Sequence, residues 1–327
     1  MKKVNVTFLD QLHPWIEKCV RDSVPDNWVV TFDNGAVQGG DHSAVAHADV
    51  LLLIGASVPG ALVEAAPNLK LVQKLGVGTD KIDCAACAAH DVAVARVFGG
   101  NAVPVAEHTL MLILSTLRQL PAMDASTRSG GWLKEEARSA HRQIHGRQVG
   151  LVGFGQVGRA VARLLLGFGA NVVYCDPVAP PESLVHELSV TPMALDELLA
   201  TSDIVSLHVP LDDGTRGMID RRRLGLMKKD AILVNCARGG VVDEAALAEA
   251  LRAGTILGAG VDVFSVEPPV GSPLLDIDNV VLSPHIAGAT IDNFREILAR
   301  GIRNVESYLT DGALPPGDAV HNPKERG

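Results

Sequence analysis

The sequence predicts an α/β protein built on two parallel sheets, and three observations support this fold class. Short apolar runs rich in β-branched residues alternate with helical patterns over residues 1–98 and again over residues 148–285, a rhythm typical of βαβ units. The second series opens with a glycine-rich turn between an apolar strand and a helix. A helical pattern at residues 291–309 follows the last predicted strand. We expect this helix to return to the first sheet, which would make the first domain discontinuous.

Length, charge and cysteine usage limit the class of protein. The 327 residues suffice for about two domains, and the formal net charge of −9 argues against nucleic acid as a partner. The N-terminus lacks an apolar region long enough for a signal peptide, and no apolar run approaches the length of a membrane span. The five cysteines are scattered and odd in number, as is typical of reduced thiols. These features predict a cytoplasmic protein that does not enter a membrane.

Two nearby cysteines, Cys84 and Cys87, raise the question of a metal or redox site. They lie in an alanine-rich helical stretch, and no second Cys/His pair follows at metal-binding spacing. We therefore favour two small buried side chains over a zinc or redox site, and we expect no metal.

The first series of strands ends near a candidate anion site. Gly76 and Gly78 follow the fourth strand, where a parallel sheet exposes its carboxyl edge, and backbone N–H groups there can bind a carboxylate. A plain turn in which Asp80 caps the next helix is an equal alternative. The predicted strands of this series cover residues 4–9, 28–32, 50–54, 71–75 and 92–97.

The chain then passes to the second series through a helix predicted at residues 102–123. Its centre is apolar on all sides, which favours burial between domains and partly against a second subunit. Glu107 and His108 near its start are interpreted as structural. Residues 124–147 are polar and are predicted to form an irregular surface arm that Trp132 anchors.

The glycine-rich turn comprises Gly153, Gly155 and Gly158, which have G-x-G-x-x-G spacing. The first glycine permits a tight turn, the second a close approach of backbone to a pyrophosphate, and the third close packing of helix on strand. A helix is predicted at residues 159–168. Asp176 follows the next strand, 18 residues after Gly158, where a carboxylate can bind a ribose hydroxyl. A small-residue turn in an ordinary βαβ unit is the alternative.

The second series has further elements, and residues after 311 are predicted to be loose. A helix at residues 243–253 is expected, with Asp243 as its N-cap. The predicted strands cover residues 148–154, 171–176, 204–209, 231–237, 257–263 and 280–285, with a short one near 189–191.

Polar residues follow three strands of this second sheet. Arg238 has a forked guanidinium that suits a carboxylate and a neighbouring carbonyl. Glu267 and His285 are the types that form an acid/base pair near neutral pH. Asp262, inside an apolar strand, needs a polar partner. An arginine, a glutamate and a histidine that follow a dinucleotide-binding turn in the sequence predict hydride transfer to or from a 2-oxo acid.

Taken together, these motifs resemble the D-isomer-specific 2-hydroxyacid dehydrogenase family over nearly the whole chain. The motifs are Gly76-Val-Gly-Thr-Asp80, Asn101-Ala-Val-Pro-Val-Ala-Glu107-His, the glycine turn with Asp176, Val234-Asn-Cys-Ala-Arg238-Gly-Gly, Asp262-Val-Phe-x-x-Glu267-Pro and Ser283-Pro-His285-x-Ala-Gly.

The resemblance implies a Rossmann-type, doubly wound NAD-binding domain inserted into a smaller flavodoxin-like substrate domain, with the active site in the cleft and a homodimer built on the inserted domain. The substrate domain would comprise residues 1–98 and 289–327, and the NAD-binding domain residues 99–288, including the helix at 102–123. The extra C-terminal regulatory domain of some phosphoglycerate dehydrogenases is not expected.

The resemblance also implies residue roles. Arg238 would bind the substrate carboxylate and carbonyl, His285 would be the general acid in reduction, and Glu267 would orient it. Val77 and Gly78, with Arg238 and His285, would bind the substrate. The dinucleotide NAD would contact Gly153, Gly155, Gln156, Val157, Gly158, Asp176, Val209, Pro210, Thr215, Cys236, Arg238, Asp262, His285 and Gly288.

The predicted activity is NAD-dependent hydride transfer at C2 of a small 2-oxo or D-2-hydroxy acid such as glyoxylate, hydroxypyruvate or a phosphoglycerate-like acid. Two alternatives stay open. One is a non-catalytic NAD-sensing protein, since a transcriptional corepressor resembles this family. The other is a relative that acts on a substrate other than a hydroxyacid, such as formate; the family's formate enzymes tend to have Gln where Glu267 stands.

Overall fold

The computed structural model describes residues 2–325. The chain divides into two compact units, one of Met1–Asn101 with Thr290–Gly327 and one of Ala102–Ala289. The first unit is discontinuous because the chain leaves it after Asn101 and returns at Thr290. Each unit contains one sheet, and the predicted α/β fold class is confirmed.

The first unit is built on a six-stranded sheet. Its strands are β1 (Val4–Phe8), β2 (Trp28–Phe32), β3 (Val50–Leu53), β4 (Leu71–Lys74), β5 (Ala93–Ala95) and β13 (Ala319–His321), and its helices are α1 (Pro14–Ser23), α2 (Gly60–Glu64), α3 (Cys84–Ala89) and α12 (Ile291–Asp311). The strand order is β13-β5-β4-β3-β1-β2, and only β13 is antiparallel to its neighbour. The order of the first five strands is that of flavodoxin-like folds.

The second unit is built on a seven-stranded parallel sheet. Its strands are β6 (Gln148–Val152), β7 (Asn171–Cys175), β8 (Thr191–Pro192), β9 (Ile204–Leu207), β10 (Ile232–Asn235), β11 (Gly258–Val261) and β12 (Val280–Leu282). Its helices are α4 (Ala102–Leu117), α5 (Leu120–Arg128), α6 (Lys134–Ala140), α7 (Gln156–Gly167), α8 (Glu182–Leu188), α9 (Leu195–Thr201), α10 (Arg221–Leu224) and α11 (Glu244–Arg252). The strand order, β12-β11-β10-β9-β6-β7-β8, is the Rossmann order with one further strand.

The apolar runs of the second sheet are continuous because both of its faces are buried. Ile232 and Val234 of β10 pack with Leu112 of α4, whereas Leu233 packs on the opposite face with Leu247 of α11. Successive side chains of a strand point to opposite faces, so two covered faces favour apolar residues at successive positions.

The single helix predicted at residues 102–123 is wrong, because the chain breaks at Gln119. α4 ends at Leu117, Gln119 has a left-handed backbone with φ of 48°, and α5 starts afresh at Leu120. Pro121, in the first turn of α5, has no N–H to continue the earlier helix, and its ring would collide with the preceding turn.

The irregular arm predicted at residues 124–147 is also wrong in part, since it contains the end of α5 and all of α6. Neither helix has a buried residue, so the sequence has no apolar periodicity that predicts them. Local pairs such as Asp124 with Arg128, at 2.7 Å, support them instead. The Trp132 side chain is 78% exposed.

The tail predicted to be loose is ordered by Asp318. β13 pairs with β5, and the fully buried Asp318 carboxylate accepts two hydrogen bonds from Arg300 of α12, at 2.6 and 2.8 Å. It also accepts from the Phe98 amide at 2.8 Å. The prediction failed because the hydrogen bonds of one buried carboxylate and the pairing of one short strand, rather than an apolar run, anchor this segment.

Among residues 2–325, no helix is both long enough and apolar enough to span a bilayer.

Candidate active site

The three glycines of the G-x-G-x-x-G turn have different surroundings. Gly153 has φ of 97°, and a Cβ there would lie 2.6 Å from the carbonyl oxygen of His208. A Cβ on Gly158 would lie 2.3 Å from the carbonyl oxygen of Gly153. Gly155 is exposed, and a Cβ there would meet nothing within 4 Å. The first and third glycines are therefore required by packing, whereas the second borders open space.

That open space lies at the N-terminus of α7, which begins at Gln156, three residues earlier than predicted. The first amides of a helix have no intrahelical acceptors and favour an anion. Gln156 is exposed and Val157 half-buried. An exposed glycine beside the N-terminus of a twelve-residue helix fits the pyrophosphate of a dinucleotide.

Asp176, the predicted ribose-binding residue, follows β7 and lies against this turn. Its Oδ2 accepts a hydrogen bond from the Phe154 amide at 2.6 Å, and its Oδ1 accepts from the Val178 amide at 2.8 Å. A carboxylate has about four acceptor positions, so these two bonds fix its orientation and leave capacity for hydroxyl donors.

The other predicted dinucleotide contacts lie at the same carboxyl edge of the second sheet. Val209, Pro210 and Thr215 belong to the loop after β9, where the Thr215 hydroxyl donates to the Pro210 carbonyl at 2.6 Å. Cys236 follows β10, and burial raises the pKa of its thiol to about 12. Its thiol therefore stays protonated at neutral pH. Gly288 is half-buried and lies in the loop after β12.

Arg238 is placed by Asn235, a polar residue that the sequence analysis did not single out. Asn235 ends β10 and is almost fully buried. Its Oδ1 accepts from the Ala237 amide, and its Nδ2 donates to the Arg238 carbonyl, both at 3.0 Å. The sequence feature that could have identified Asn235 is its side-chain amide in an otherwise apolar strand. On the far side, a Cβ on Gly239 would lie 1.9 Å from the carbonyl carbon of Phe264, so backbone packs closely there.

His285 and Glu267 form a hydrogen-bonded pair. The Nδ1 atom of His285 lies 2.9 and 3.0 Å from the two Glu267 carboxylate oxygens. The imidazole is 45% exposed, and φ of His285 is +54°, a conformation that is uncommon for a residue with a Cβ. A histidine paired with a carboxylate on one ring nitrogen can exchange a proton at the other.

Asp262 has the partners that its buried position requires. It is fully buried, and its carboxylate accepts from the Ser283 hydroxyl at 2.6 Å and from the amides of Ile286 and Ala287 at 3.0 Å. Burial acts to raise the pKa of this carboxyl, but hydrogen bonds from His108, Ser283 and the two amides outweigh it and hold the pKa below its usual value. Asp262 therefore stays ionised at neutral pH.

The predicted site residues fall in both units. The catalytic and dinucleotide-binding candidates all lie in the second unit at one edge of its sheet, either in loops that follow its strands or in the first turn of α7. Val77 and Gly78 belong to the first unit and are half-buried in the loop after β4. Among residues 2–325, no group of three or more His, Cys, Asp and Glu side chains is arranged to hold a metal ion. Cys84 is half-buried and Cys87 is buried.

Comparison with known proteins adds family evidence. Residues 110–287 match the family model described as the NAD-binding domain of D-isomer specific 2-hydroxyacid dehydrogenases. A D-3-phosphoglycerate dehydrogenase of Mycobacterium bovis is 39% identical over 288 residues, which are 88% of this chain and 53% of the relative. The chain thus spans about half the length of such relatives.

Two further proteins match over most of both chains. A hydroxypyruvate reductase of Thermotoga maritima is 38% identical over 267 residues, which are 80% of this chain and 84% of the relative. The crystal structure of the TT0316 protein from Thermus thermophilus superposes with a TM-score of 0.86 at 32% identity, covering 97% of this chain and 100% of that one.

Proposed function

The chain belongs to the D-isomer specific 2-hydroxyacid dehydrogenase family, and we propose that it is an NAD-dependent dehydrogenase that interconverts a small 2-oxo acid and the D-2-hydroxy acid. The observation that carries this proposal is the His285–Glu267 pair, which lies at the same sheet edge as Arg238 and the glycine turn. A nucleotide-binding protein without catalysis has no need of a paired imidazole and an arginine at that edge.

Arg238 binds the substrate in this proposal. Its guanidinium donates hydrogen bonds to the carboxylate and to the C2 carbonyl oxygen, and it stabilises the negative charge that develops on that oxygen. Asn235 hydrogen-bonds the Ala237 amide and the Arg238 carbonyl, so the backbone that carries the Arg238 side chain has a fixed position. The amides around Val77 and Gly78 are proposed to bind the substrate carboxylate as well.

His285 transfers the proton. Its Nδ1–H donates to Glu267, which leaves Nε2 to protonate the carbonyl oxygen in reduction and to accept the hydroxyl proton in oxidation. NADH, when bound, supplies the hydride that C2 receives. Glu267 stabilises the protonated imidazole and fixes its ring plane.

The residues of the nucleotide site fit NAD. Gly153, Gly155 and Gly158 with the first amides of α7 are proposed to hold the pyrophosphate, and Asp176 the adenosine ribose. Val209, Pro210, Thr215, Cys236, Asp262 and Gly288 are proposed to line the remainder of the site with Gln156 and Val157.

A homodimer in the cytoplasm completes the proposal. Val103 and Met111 of α4 and Leu120 of α5 are exposed apolar side chains, and the covering of such side chains favours a second copy of the chain. All five cysteines are free, which suits a reducing compartment. Light scattering at micromolar concentration tests the dimer.

A panel of 2-oxo acids tests the activity. Glyoxylate, hydroxypyruvate and 3-phosphohydroxypyruvate are each mixed with NADH, oxidation of NADH is followed, and the product is assayed for the D configuration. Arg238→Gln should lower kcat/KM by about 10²- to 10³-fold, as loss of one oxyanion donor does. Arg222→Gln, an exposed arginine paired with Asp196, is the control and should keep wild-type activity. Tight NADH binding without turnover of any acid would favour the alternative of a non-catalytic, corepressor-like protein. Oxidation of formate would favour the alternative of a relative that acts on a substrate other than a hydroxyacid.

A further inference from the structure

The loop that carries His285 depends on one buried residue, Asp262. Three successive amides of this loop donate to it: the His285 amide to its backbone carbonyl at 2.7 Å, the Ile286 amide to Oδ1 and the Ala287 amide to Oδ2, both at 3.0 Å. Asp262 is fully buried at the end of β11. The hydrogen bonds to Asp262 therefore stabilise the left-handed backbone conformation of His285.

Behind Asp262 lies a second histidine, His108 of α4, whose imidazole is only 10% exposed. The Ser283 hydroxyl donates its one proton to Asp262 Oδ1 at 2.6 Å. Its oxygen can then only accept from His108 Nε2, which lies 2.9 Å away. The same Nε2 lies 3.3 Å from Asp262 Oδ1. The arrangement fixes the tautomer of His108, with its proton on Nε2.

We propose that His108 is a positioning residue for the hydride-transfer reaction: its Nε2–H holds Ser283 and Asp262, and through them the loop that presents His285 to Glu267. The inference rests on the function proposed above. Asp262 is a carboxylate without exposure, and each lost donor leaves its buried charge less well solvated, which destabilises the arrangement in which it accepts from the Ile286 and Ala287 amides. Ser283 is the link, because it begins the loop and bonds to both other members.

The structure separates this effect from the pyrophosphate end of the proposed nucleotide site, whereas Asp262 and Gly288 are themselves proposed NAD contacts. The glycine turn lies between β6 and α7 and is shaped by contacts of Gly153 with His208 and of Gly158 with Gly153. None of these contacts involves His108 or Ser283. A loosened loop should therefore reduce the rate of proton transfer more than it reduces the affinity for NADH.

Four variants test the proposal in the full chain: His108→Leu, His108→Gln, Ser283→Ala and, as control, His186→Leu on the exposed face of α8. We expect His108→Leu and Ser283→Ala to lower kcat about tenfold and to raise the NADH dissociation constant by less, about threefold at most. The solvent deuterium isotope effect on kcat should rise because proton transfer becomes slower. His108→Gln keeps an N–H donor and should recover kcat to within about threefold. His186→Leu should match the wild type.

Hydrogen exchange of the 283–288 segment gives a readout independent of activity. His108→Leu should exchange the Ile286 and Ala287 amides faster, and His108→Gln should not. If the wild type turns over a 2-oxo acid but His108→Leu has unchanged kcat, or if Leu and Gln are equally impaired, the inference is overturned while the proposed function stands. If no 2-oxo acid is turned over, the proposed function fails, and unchanged exchange in His108→Leu would then overturn the positioning role as well.

Discussion

The Nδ1 atom of His285 lies 2.9 and 3.0 Å from the two carboxylate oxygens of Glu267. Such a geometry places the Nδ1 proton between the two residues and leaves Nε2 available to exchange a proton. Glu267 is itself held, because its Oε1 accepts from the Phe264 amide at 3.3 Å. The pair therefore has a defined orientation before any substrate arrives.

Removal of the imidazole should abolish the chemical step and spare nucleotide binding. His285→Ala is expected to lower kcat by about 10²- to 10⁴-fold, the usual contribution of a general acid, with NADH affinity within about twofold. Glu267→Gln should lose less, since its amide oxygen can still accept from Nδ1 but no longer stabilises the imidazolium. Single-turnover kinetics and NADH fluorescence titration measure the two effects. A His285→Ala variant with near-normal kcat would remove His285 from the role.

The glycine turn permits a matched comparison. Gly155→Ala adds a methyl group where nothing lies within 4 Å, so its thermal midpoint should equal that of the wild type while NADH binding weakens about tenfold or more, because backbone can no longer approach the pyrophosphate. Gly158→Ala places its methyl group 2.3 Å from the Gly153 carbonyl oxygen and should lower the thermal midpoint itself. Differential scanning fluorimetry with and without NADH measures both. Equal NADH affinity in Gly155→Ala and wild type would contradict the assigned pyrophosphate site.

The parts predicted correctly from the sequence are those with a local signature. Asp243 was expected as a helix N-cap, and its carboxylate accepts from the Ala246 amide at 3.0 Å. Alternation of strands and helices sufficed for both sheets, because each βαβ unit carries its own pattern. The break at Gln119 could also have been read from Pro121, two residues later.

What the sequence could not supply are contacts between residues far apart in the chain. Asp318 and Arg300 belong to a tail and a helix, and their ion pair orders a segment whose composition is typical of a loose end. His108 and Asp262 are 154 positions apart, and only the fold shows that they meet at 3.3 Å. A histidine near a helix start has no periodic pattern that would announce such a partner.

His208 gives the unit a pH-dependent stability. Burial lowers the pKa of its imidazole from 6.5 to about 4, and its Nδ1 has no hydrogen-bond partner among the described residues. Because the folded pKa is the lower one, the unfolded chain takes up a proton as pH falls below about 6.5 and the folded chain does not. Stability is therefore lost between about pH 6.5 and pH 4.

The loss from His208 should be about 2 kcal/mol between pH 7 and pH 5. His208→Gln removes the titrating group and keeps a side-chain amide that can replace Nε2 in its 2.9 Å contact with Ser206. Urea unfolding at both pH values measures the free energy of unfolding of each protein. The variant should lose about 2 kcal/mol less than the wild type between pH 7 and pH 5. Equal losses in the two proteins would mean that the imidazole is protonated in the folded state well above pH 4.

Cofactor preference depends on the surroundings of Asp176. Its carboxylate is fixed by the amides of Phe154 and Val178, and residues 177–182 contain no lysine or arginine. The next basic side chain along the chain, His186, is 3.7 Å from Glu182. Enzymes that accept a 2′-phosphate usually offer an arginine nearby. Here the phosphate would meet a negative charge instead.

We therefore expect NADH to be preferred over NADPH by at least about tenfold in kcat/KM, which is about 1.4 kcal/mol. Asp176→Ala should narrow the gap, mostly by weakening NADH, because the hydrogen bonds to the ribose hydroxyls are lost. Arg159 in the first turn of α7, whose Nε donates to the Phe154 carbonyl at 2.9 Å, supplies the control. If its guanidinium compensated a 2′-phosphate, Arg159→Ala would lose activity with NADPH selectively, whereas we expect equal effects on both cofactors. Side-by-side kinetics with NADH and NADPH decide the matter, and equal efficiency in the wild type would mean that residues other than Asp176 form the ribose pocket.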